Sequence, residues 1–492
     1  MNPAPPPAAR TSAKDRRLKI GCLTVFLLLI LAASVGIIAL YWIVGWRGDR
    51  AWADYKAAAT ARGTKLYYAE YEQPAIPDED NYAAAAVFRE LTDPVSGKET
   101  LRKLALPKLP PNGSSRSTKV SNPTGSDRVA LYQDAFFREA WIPDKTESPA
   151  NDVLTGLHRW EARFDEISQA SQRPKSHWPL KLNRVGIPDE LYLGPLLDTM
   201  TALHLRASAL LALQRVDEAR KDMGLLLRAA ESLDQESSTL PFLVRIAFWA
   251  LWVDVAERGI ASKAWSHTDL QSLTEECTKV DVLAGLVHAL DTDRAYGNQI
   301  HGAFAKGLLK ENDTITPSEA PRFLSLMPRG WLLSSQLEYN RLIDLDIEDI
   351  HVAEGTIDPR FSRSAAIRKS YSTGYQRYTH FLTVVALPSS EACGYKAADI
   401  HTSFQQVRIE CALTRYRETH PEYPASLSAL VPDFIDRVPI DVMDGQPLRY
   451  RRSETGGYLL WSIGMNRHDD GGKSDPKAKR HTSPDWVSEL PP

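Results

Sequence analysis

Cysteine is scarce in this chain, four in 492 residues, and a set that sparse excludes a disulfide framework as the source of its stability. Cys22 lies in an apolar run, which leaves Cys277, Cys393 and Cys411. A Cys393–Cys411 bridge is the pairing open to them in an oxidising compartment. An excess of one charge is also missing: 59 Lys and Arg stand against 62 Asp and Glu, a net charge of −3. The basic residues of the N-terminal tail are part of that sum, so the remainder is mildly acidic, and nucleic acid is not an expected partner. No H-E-x-x-H, G-x-S-x-G, Walker loop, G-x-G-x-x-G or C-x-x-C occurs, which leaves no motif for a zinc protease, serine hydrolase, nucleotide-binding or thioredoxin-like site. A second long hydrophobic run is absent too. Phe242–Val255 is apolar but carries Arg245, with Asp254 and Glu257 at its end, and is expected to be a buried core helix.

One long run is present. Nothing charged interrupts Ile20–Trp46, which as a helix reaches roughly 40 Å, enough to cross a ~30 Å hydrocarbon layer with some tilt. It is longer than a signal-peptide core and ends in Tyr41, Trp42 and Trp46 instead of small residues, a membrane-interface belt and not a cleavage site. Arg10, Lys14, Arg16, Arg17 and Lys19 precede it. The positive-inside bias therefore expects residues 1–19 as a cytoplasmic tail, 20–46 as a single-pass anchor in the inner membrane, and the body on the extracytoplasmic side. Prolines 3, 5, 6 and 7 read as a disordered start.

The rest divides into 47–148, 149–397 and 398–492. In the first region the helix continues through Trp52 and Tyr55 until Gly63 stops it, and Pro77, Asp78 and Asn81 open a turn before the helix Ala83–Leu91. Pro107–Asp127 reads as a long polar loop. The second region is helical by period. Leu203, Ala207, Leu210, Val216, Ala219 and Met223 resemble one tetratricopeptide hairpin, with no second copy, so an ordinary α-hairpin is expected. Further helices are expected at Leu240–Arg258, Thr268–Ala289 and Ser335–Asp346. The third region opens with an amphipathic helix, Ile400–Thr419. A short helix at Leu427–Val431 and strands at Pro447–Arg452 and Gly457–Ile463 follow, then the polar loop Gly464–Pro484. The expected fold is mostly α, α+β overall, closing in a helix packed on a small antiparallel sheet.

In that third region Tyr416-Arg417, Tyr423-Pro424, Leu430-Val431-Pro432, Pro439, Asp441, Gly445-Gln446-Pro447, Gly457-Tyr458, Ser462-Ile463-Gly464 and Asp469-Asp470-Gly471-Gly472 follow in order. This order resembles the C-terminal part of type II secretion major pseudopilins, over roughly 80 residues. The resemblance implies a long helix, a Tyr-Pro turn, a small sheet and a calcium-holding loop. For calcium, which takes 6–8 oxygen ligands, the residues on offer are Asn466, Asp469, Asp470 and Asp485. The departures are as informative. About 350 residues separate anchor and tail, and Phe26 stands where prepilin processing after Gly21 wants a glutamate, so pilus assembly is not implied. The whole chain resembles bacterial single-pass membrane proteins that share its anchor, Trp52-x-x-Tyr55 helix and tail, a family that implies no activity.

Two scattered clusters remain. Asp344, Asp346, Glu348 and Asp349 begin like an EF-hand but lack its glycine and closing glutamate, and His288, Asp291, Asp293, Asn298 and His301 lack metal-ligand spacing. Both are expected to be solvated helix faces. Arg415 and Glu418 read as a surface pair. No catalytic or cofactor-binding residue is assigned, and calcium is the sole cofactor in view. The function that accounts for these features is a non-enzymatic interaction or scaffold protein of the cell envelope, held by residues 20–46, docking a protein partner and linked to secretion. The alternatives are an extracytoplasmic enzyme whose site assembles only in three dimensions, with Asp344–Asp349 as its candidate, and a calcium-binding tail.

Overall fold

A computed structural model describes the chain except residues 1–12, 73, 93–104, 110–124, 179–189, 237, 307–326, 359–360, 362, 372, 387–389, 455, 476–479 and 491–492. The proline tail and most of Pro107–Asp127 thus lie outside the described residues, and the end of that expected loop already belongs to a helix.

Helix α1 (Ala13–Ala61) carries the apolar run without a break into the body. Its end is set by Gly63, whose φ of 75° is a left-handed stop that costs glycine little. Helices α2 (Ala86–Thr92), α3 (Gly125–Arg138), α4 (Pro149–Leu157) and α5 (Glu161–Ala170) form the first part of the body. The Pro77–Asn81 turn is pinned by Asn81. Its amide donates to the His177 carbonyl at 2.8 Å and accepts from the His177 N–H at 2.9 Å, while capping Ala83. That pin stacks Tyr82, Phe88, Trp178 and Tyr192 into one aromatic cluster.

Helices α6 (Leu193–Ala212) and α7 (Val216–Ser232) form the expected hairpin. Helix α8 (Thr239–Ala261) is a core helix, with Phe248, Trp249 and Trp252 buried. The expected single helix over Thr268–Ala289 is two, α9 (His267–Lys279) and α10 (Val282–Ala305). Asp281 caps the N–H of Ala284 at 3.0 Å and restarts the chain in a new direction. Helix α11 (Arg329–Glu348) lies beside α1, and the short helices α12 (Arg363–Ser370), α13 (Gln376–Thr379) and α14 (Phe381–Ala386) pack near it. A two-stranded hairpin, β1 (Ile350–His351) and β2 (Thr356–Ile357), follows α11.

Helix α15 (Ser390–Thr419) joins the two parts of the fold. Its first half sits in the main core through Cys393, Ala397, Ile400, Phe404 and Val407, and its second half in a smaller core through Ile409, Ala412 and Leu413. The smaller core is closed by the antiparallel sheet of β3 (Arg449–Arg452), β4 (Tyr458–Ser462) and β5 (Trp486–Leu490), with β4 central. Alternation decides the two faces of β4. Tyr458 and Leu460 enter the core, while the Trp461 indole donates to Asp469 at 2.9 Å, in the loop beyond the strand. The fold is mostly α with a small β module.

Three local expectations change. Cys393 and Cys411 are both free and buried on one helix, where 18 residues of rise put them about 27 Å apart, beyond any disulfide. Arg415 does not pair with Glu418: it donates to the Phe434 carbonyl at 3.3 Å, and Glu418 meets His267 at 2.7 Å. The two acidic clusters are solvated only in part, with Glu348 exposed and His288, Asp291 and Asp344 half-buried. Asp293, Asn298, His301, Asp346 and Asp349 are all buried, because neighbouring elements close over faces that helical period alone leaves open.

Candidate functional site

The four residues expected to hold calcium do come together in the loop after β4, where their oxygens serve donors from the chain itself. Asp485 is fully buried and accepts the N–H groups of Gly472 at 2.8 Å and Lys473 at 3.1 Å. Asp469 accepts from the Trp461 indole and the Gly471 N–H, both at 2.9 Å. Asn466 donates to Asp470 at 2.7 Å and accepts from the His468 N–H at 3.0 Å. Among the described residues no three His, Cys, Asp or Glu side chains converge as metal ligands. As arranged, these oxygens are engaged in hydrogen bonds within the loop.

The acidic run on α11 is structural in its contacts. Asp344 accepts from Arg294 at 2.6 Å and from the Tyr55 hydroxyl at 2.9 Å, and Asp349 accepts a two-pronged Arg363 at 2.7 and 3.0 Å. Burial pushes Asp346 up to about 6.

The convergent titratable groups lie elsewhere. A cavity of about 1000 Å³ opens between α3, α4, the ends of α6 and α8, helix α15 and strand β5. Its walls are largely apolar, with Leu211, Leu213, Ile260, Val487 and Leu490. It also carries Asp254, Glu257, Arg258, Glu410 and Arg480, from three separate parts of the chain. Helical spacing explains the first three: positions 254, 257 and 258 are one turn apart on the C-terminal end of α8.

Two of these acids are arranged differently from the third. Asp254 meets the buried His204 Nε2 at 2.6 Å and accepts from Arg258. Burial alone would raise its pKa, but the bonds and charges of His204 and Arg258 outweigh that and hold it low, so it is a carboxylate. Glu257 is walled in by protein, yet 34% of its side chain faces the cavity. Its Oε1 accepts no hydrogen bond from the described residues, and the nearest cation is the Arg480 guanidinium at 3.9 Å. That guanidinium is shared: its Nε lies 3.1 Å from Asp399, and it donates to Gln406. Glu410 is buried and accepts from Ser488. Burial first, then the Glu257 charge, pushes Glu410 up to about 8, and burial raises Glu257 as well. The cavity thus holds two glutamates that its arginines leave incompletely neutralised.

Comparisons with protein-family models, curated proteins and solved structures produced no match to this chain. The site therefore rests on its own geometry. Sequence reading missed it because Glu257, Glu410 and Arg480 share no motif. The one signal available was a glutamate at the end of the most apolar helix of the body.

The raised Glu410 has a measurable consequence. Its folded-state pKa lies above its unfolded one, so the folded chain keeps a proton that the unfolded chain releases. This penalty is absent below the ordinary carboxylate range and grows as pH climbs toward about 8. E410Q is expected to melt above the parent chain at pH 8 and to lose that advantage at pH 4. Melting curves across this range that run parallel for the two chains would contradict the assignment.

Proposed function

We propose that this chain is a membrane-tethered, extracytoplasmic binding protein whose cavity receives an apolar ligand bearing a cationic group. The observation that carries this reading is the pair Glu257 and Glu410, incompletely neutralised and facing a cavity with apolar walls. About 1000 Å³ suits a small amphiphile or the end of a peptide. An amine or guanidinium supplies the donors and the positive charge that Glu257 lacks. The apolar N-terminal helix is compatible with membrane association. The basic residues before it support a cytoplasmic N-terminus, an inner-membrane anchor and an exported body. The pseudopilin-like order of the tail supports a place in the envelope.

Calorimetry on the full chain in nanodiscs, with 4-phenylbutylamine and 4-phenylbutyrate as matched probes, tests the reading. The amine is expected to bind and the acid not. E257Q is expected to weaken amine binding roughly 10- to 100-fold, the worth of one charge-assisted contact. Affinity for the amine rises as pH passes through about 8, where Glu410 ionises, while the amine itself stays charged. Equal binding of the two probes, or no effect of E257Q, overturns it. One observation favours a catalytic reading: a glutamic acid still protonated near neutral pH is a general acid. Turnover of an amine-bearing ligand that disappears in E410Q would select that reading.

A further inference from the structure

The anchor helix does not end where the body begins. Helix α11 runs beside α1 in the same direction. Gly330 packs on the backbone of Val44 and against Gly48, Arg329 reaches Asp49 at 2.9 Å, and Asp344 meets Tyr55 farther along. A side chain at position 330 would collide with the Val44 carbonyl. The N-terminus of α11 is therefore level with the last apolar turn of the anchor. The polypeptide body starts at the membrane interface and not above it.

What the body places at that level has the composition of an interface. Trp331 meets Tyr375 edge-on, ring centroids 5.5 Å apart, and Tyr375 is 64% exposed. Trp42 and Trp46 are exposed on the anchor at the same end, and the Arg50 guanidinium lies over the Trp46 ring. Arg47, Arg329 and Arg377 are exposed around them. A crevice of about 340 Å³, lined by Val44, Trp331, Leu333 and Leu337 among others, lies between the two helices. Tryptophan and tyrosine prefer the headgroup layer, where the ring is half apolar and its polar edge stays wet. Arginines beside them favour anionic headgroups.

We propose that the Trp331–Tyr375 face is a second membrane contact, laid on an anionic lipid surface beside the anchor, which holds the body against the bilayer. The occupant is lipid because the face continues the surface of the anchor helix itself. A protein partner covering Tyr375 is the competing outcome. The inference rests on the anchor reading and not on the cavity.

The test uses the full chain with C22S, since Cys277, Cys393 and Cys411 are buried. A fluorophore is placed at Y375C or, as a reference at the distant β3–β4 turn, at E454C, in nanodiscs containing phosphatidylglycerol. Lipids spin-labelled near the headgroup are expected to quench position 375 several-fold more than position 454, and aqueous iodide to quench 375 several-fold less. Position 375 as open to iodide as 454, or shielded from iodide without quenching by lipid, overturns the proposal. Flotation of the same labelled chains, reconstituted from detergent into phosphatidylglycerol vesicles, separates the two failures. A chain that does not float refutes the anchor, and one that floats with a water-exposed position 375 refutes this contact alone.

Discussion

Replacing Arg294 with alanine is expected to destabilise the body by about 3–5 kcal/mol, the usual cost of removing one partner from a buried ion pair. Arg294 is 2% exposed. It donates to Asp291 at 3.1 Å, to Asp344 at 2.6 Å and to the Tyr55 hydroxyl at 2.7 Å. Tyr71 closes the cluster by donating to Asp291 at 2.7 Å. Without the guanidinium, Asp291 is left with the Tyr71 hydroxyl, and Asp344 with the Tyr55 hydroxyl and the exposed Arg62 at 3.4 Å. Tyr55 also loses a tie to α10. Because Tyr55 lies on the helix that carries the apolar run, the loss is mechanical as well as thermodynamic. Denaturant melts of the full chain in detergent measure the first effect, and faster hydrogen exchange at the Ala51–Ala61 end of α1 measures the second. R294M alone is expected to remain destabilised. R294M combined with D291N and D344N should recover most of the loss, because it removes the unpaired charges and not only the cation. A single R294A within 1 kcal/mol of the parent chain would mean that water reaches the cluster freely.

The second large effect is expected at Asp441. It is fully buried and accepts four hydrogen bonds. Met443 N–H at 3.0 Å and the Ser462 hydroxyl at 2.8 Å bind one oxygen, while Ile463 N–H at 2.9 Å and Arg449 at 2.8 Å bind the other. One carboxylate thus joins the Asp441–Gly445 turn to the start of β3 and the end of β4. D441A leaves two buried N–H groups and a hydroxyl without their acceptor, and leaves the Arg449 guanidinium hydrogen-bonded to Asp444 alone, at a cost of about 3–5 kcal/mol. D441N keeps the shape but turns an N–H₂ toward donors, and is expected to fall between the two. The loss should appear first in the C-terminal sheet. Hydrogen exchange of β3 and β4 should accelerate before that of α8, and uniform acceleration across the chain would show that the sheet has no separate role in stability.

Asp441 illustrates what a sequence can and cannot convey. It was legible as one position in the ordered set resembling a pseudopilin tail, but its four partners come from separate turns and strands. The same contrast runs through the site. The four loop residues Asn466, Asp469, Asp470 and Asp485 were legible as neighbours, because polar and glycine residues cluster locally. Which of their oxygens serve the chain's own N–H groups depends on where the backbone points, and no pattern of side chains carries that information. Glu257 and Glu410 are 153 positions apart, so only the packing of α8 against α15 turns them into a pair.

The sequence by itself determined the elements whose causes are local. The long N-terminal helix follows from an uninterrupted apolar run, the α6–α7 hairpin from helical periodicity, and the β3–β4 hairpin from strand-like pieces joined by Ser453-Glu454-Thr455-Gly456. It also determined the fold class, since these periods add up to helices with one small sheet. The tertiary structure alone decided which faces are buried. Helical spacing states which residues share a side and leaves open whether a neighbour covers it, so Asp293 of α10 and Asp346 of α11 could be read as solvated although they lie in the interior. It decided the separation of Cys393 and Cys411, because the helix that holds them begins ten residues earlier than its amphipathic pattern. It also decided the acidic cavity, because burial and charge pairing are sums over neighbours brought from three distant parts of the chain.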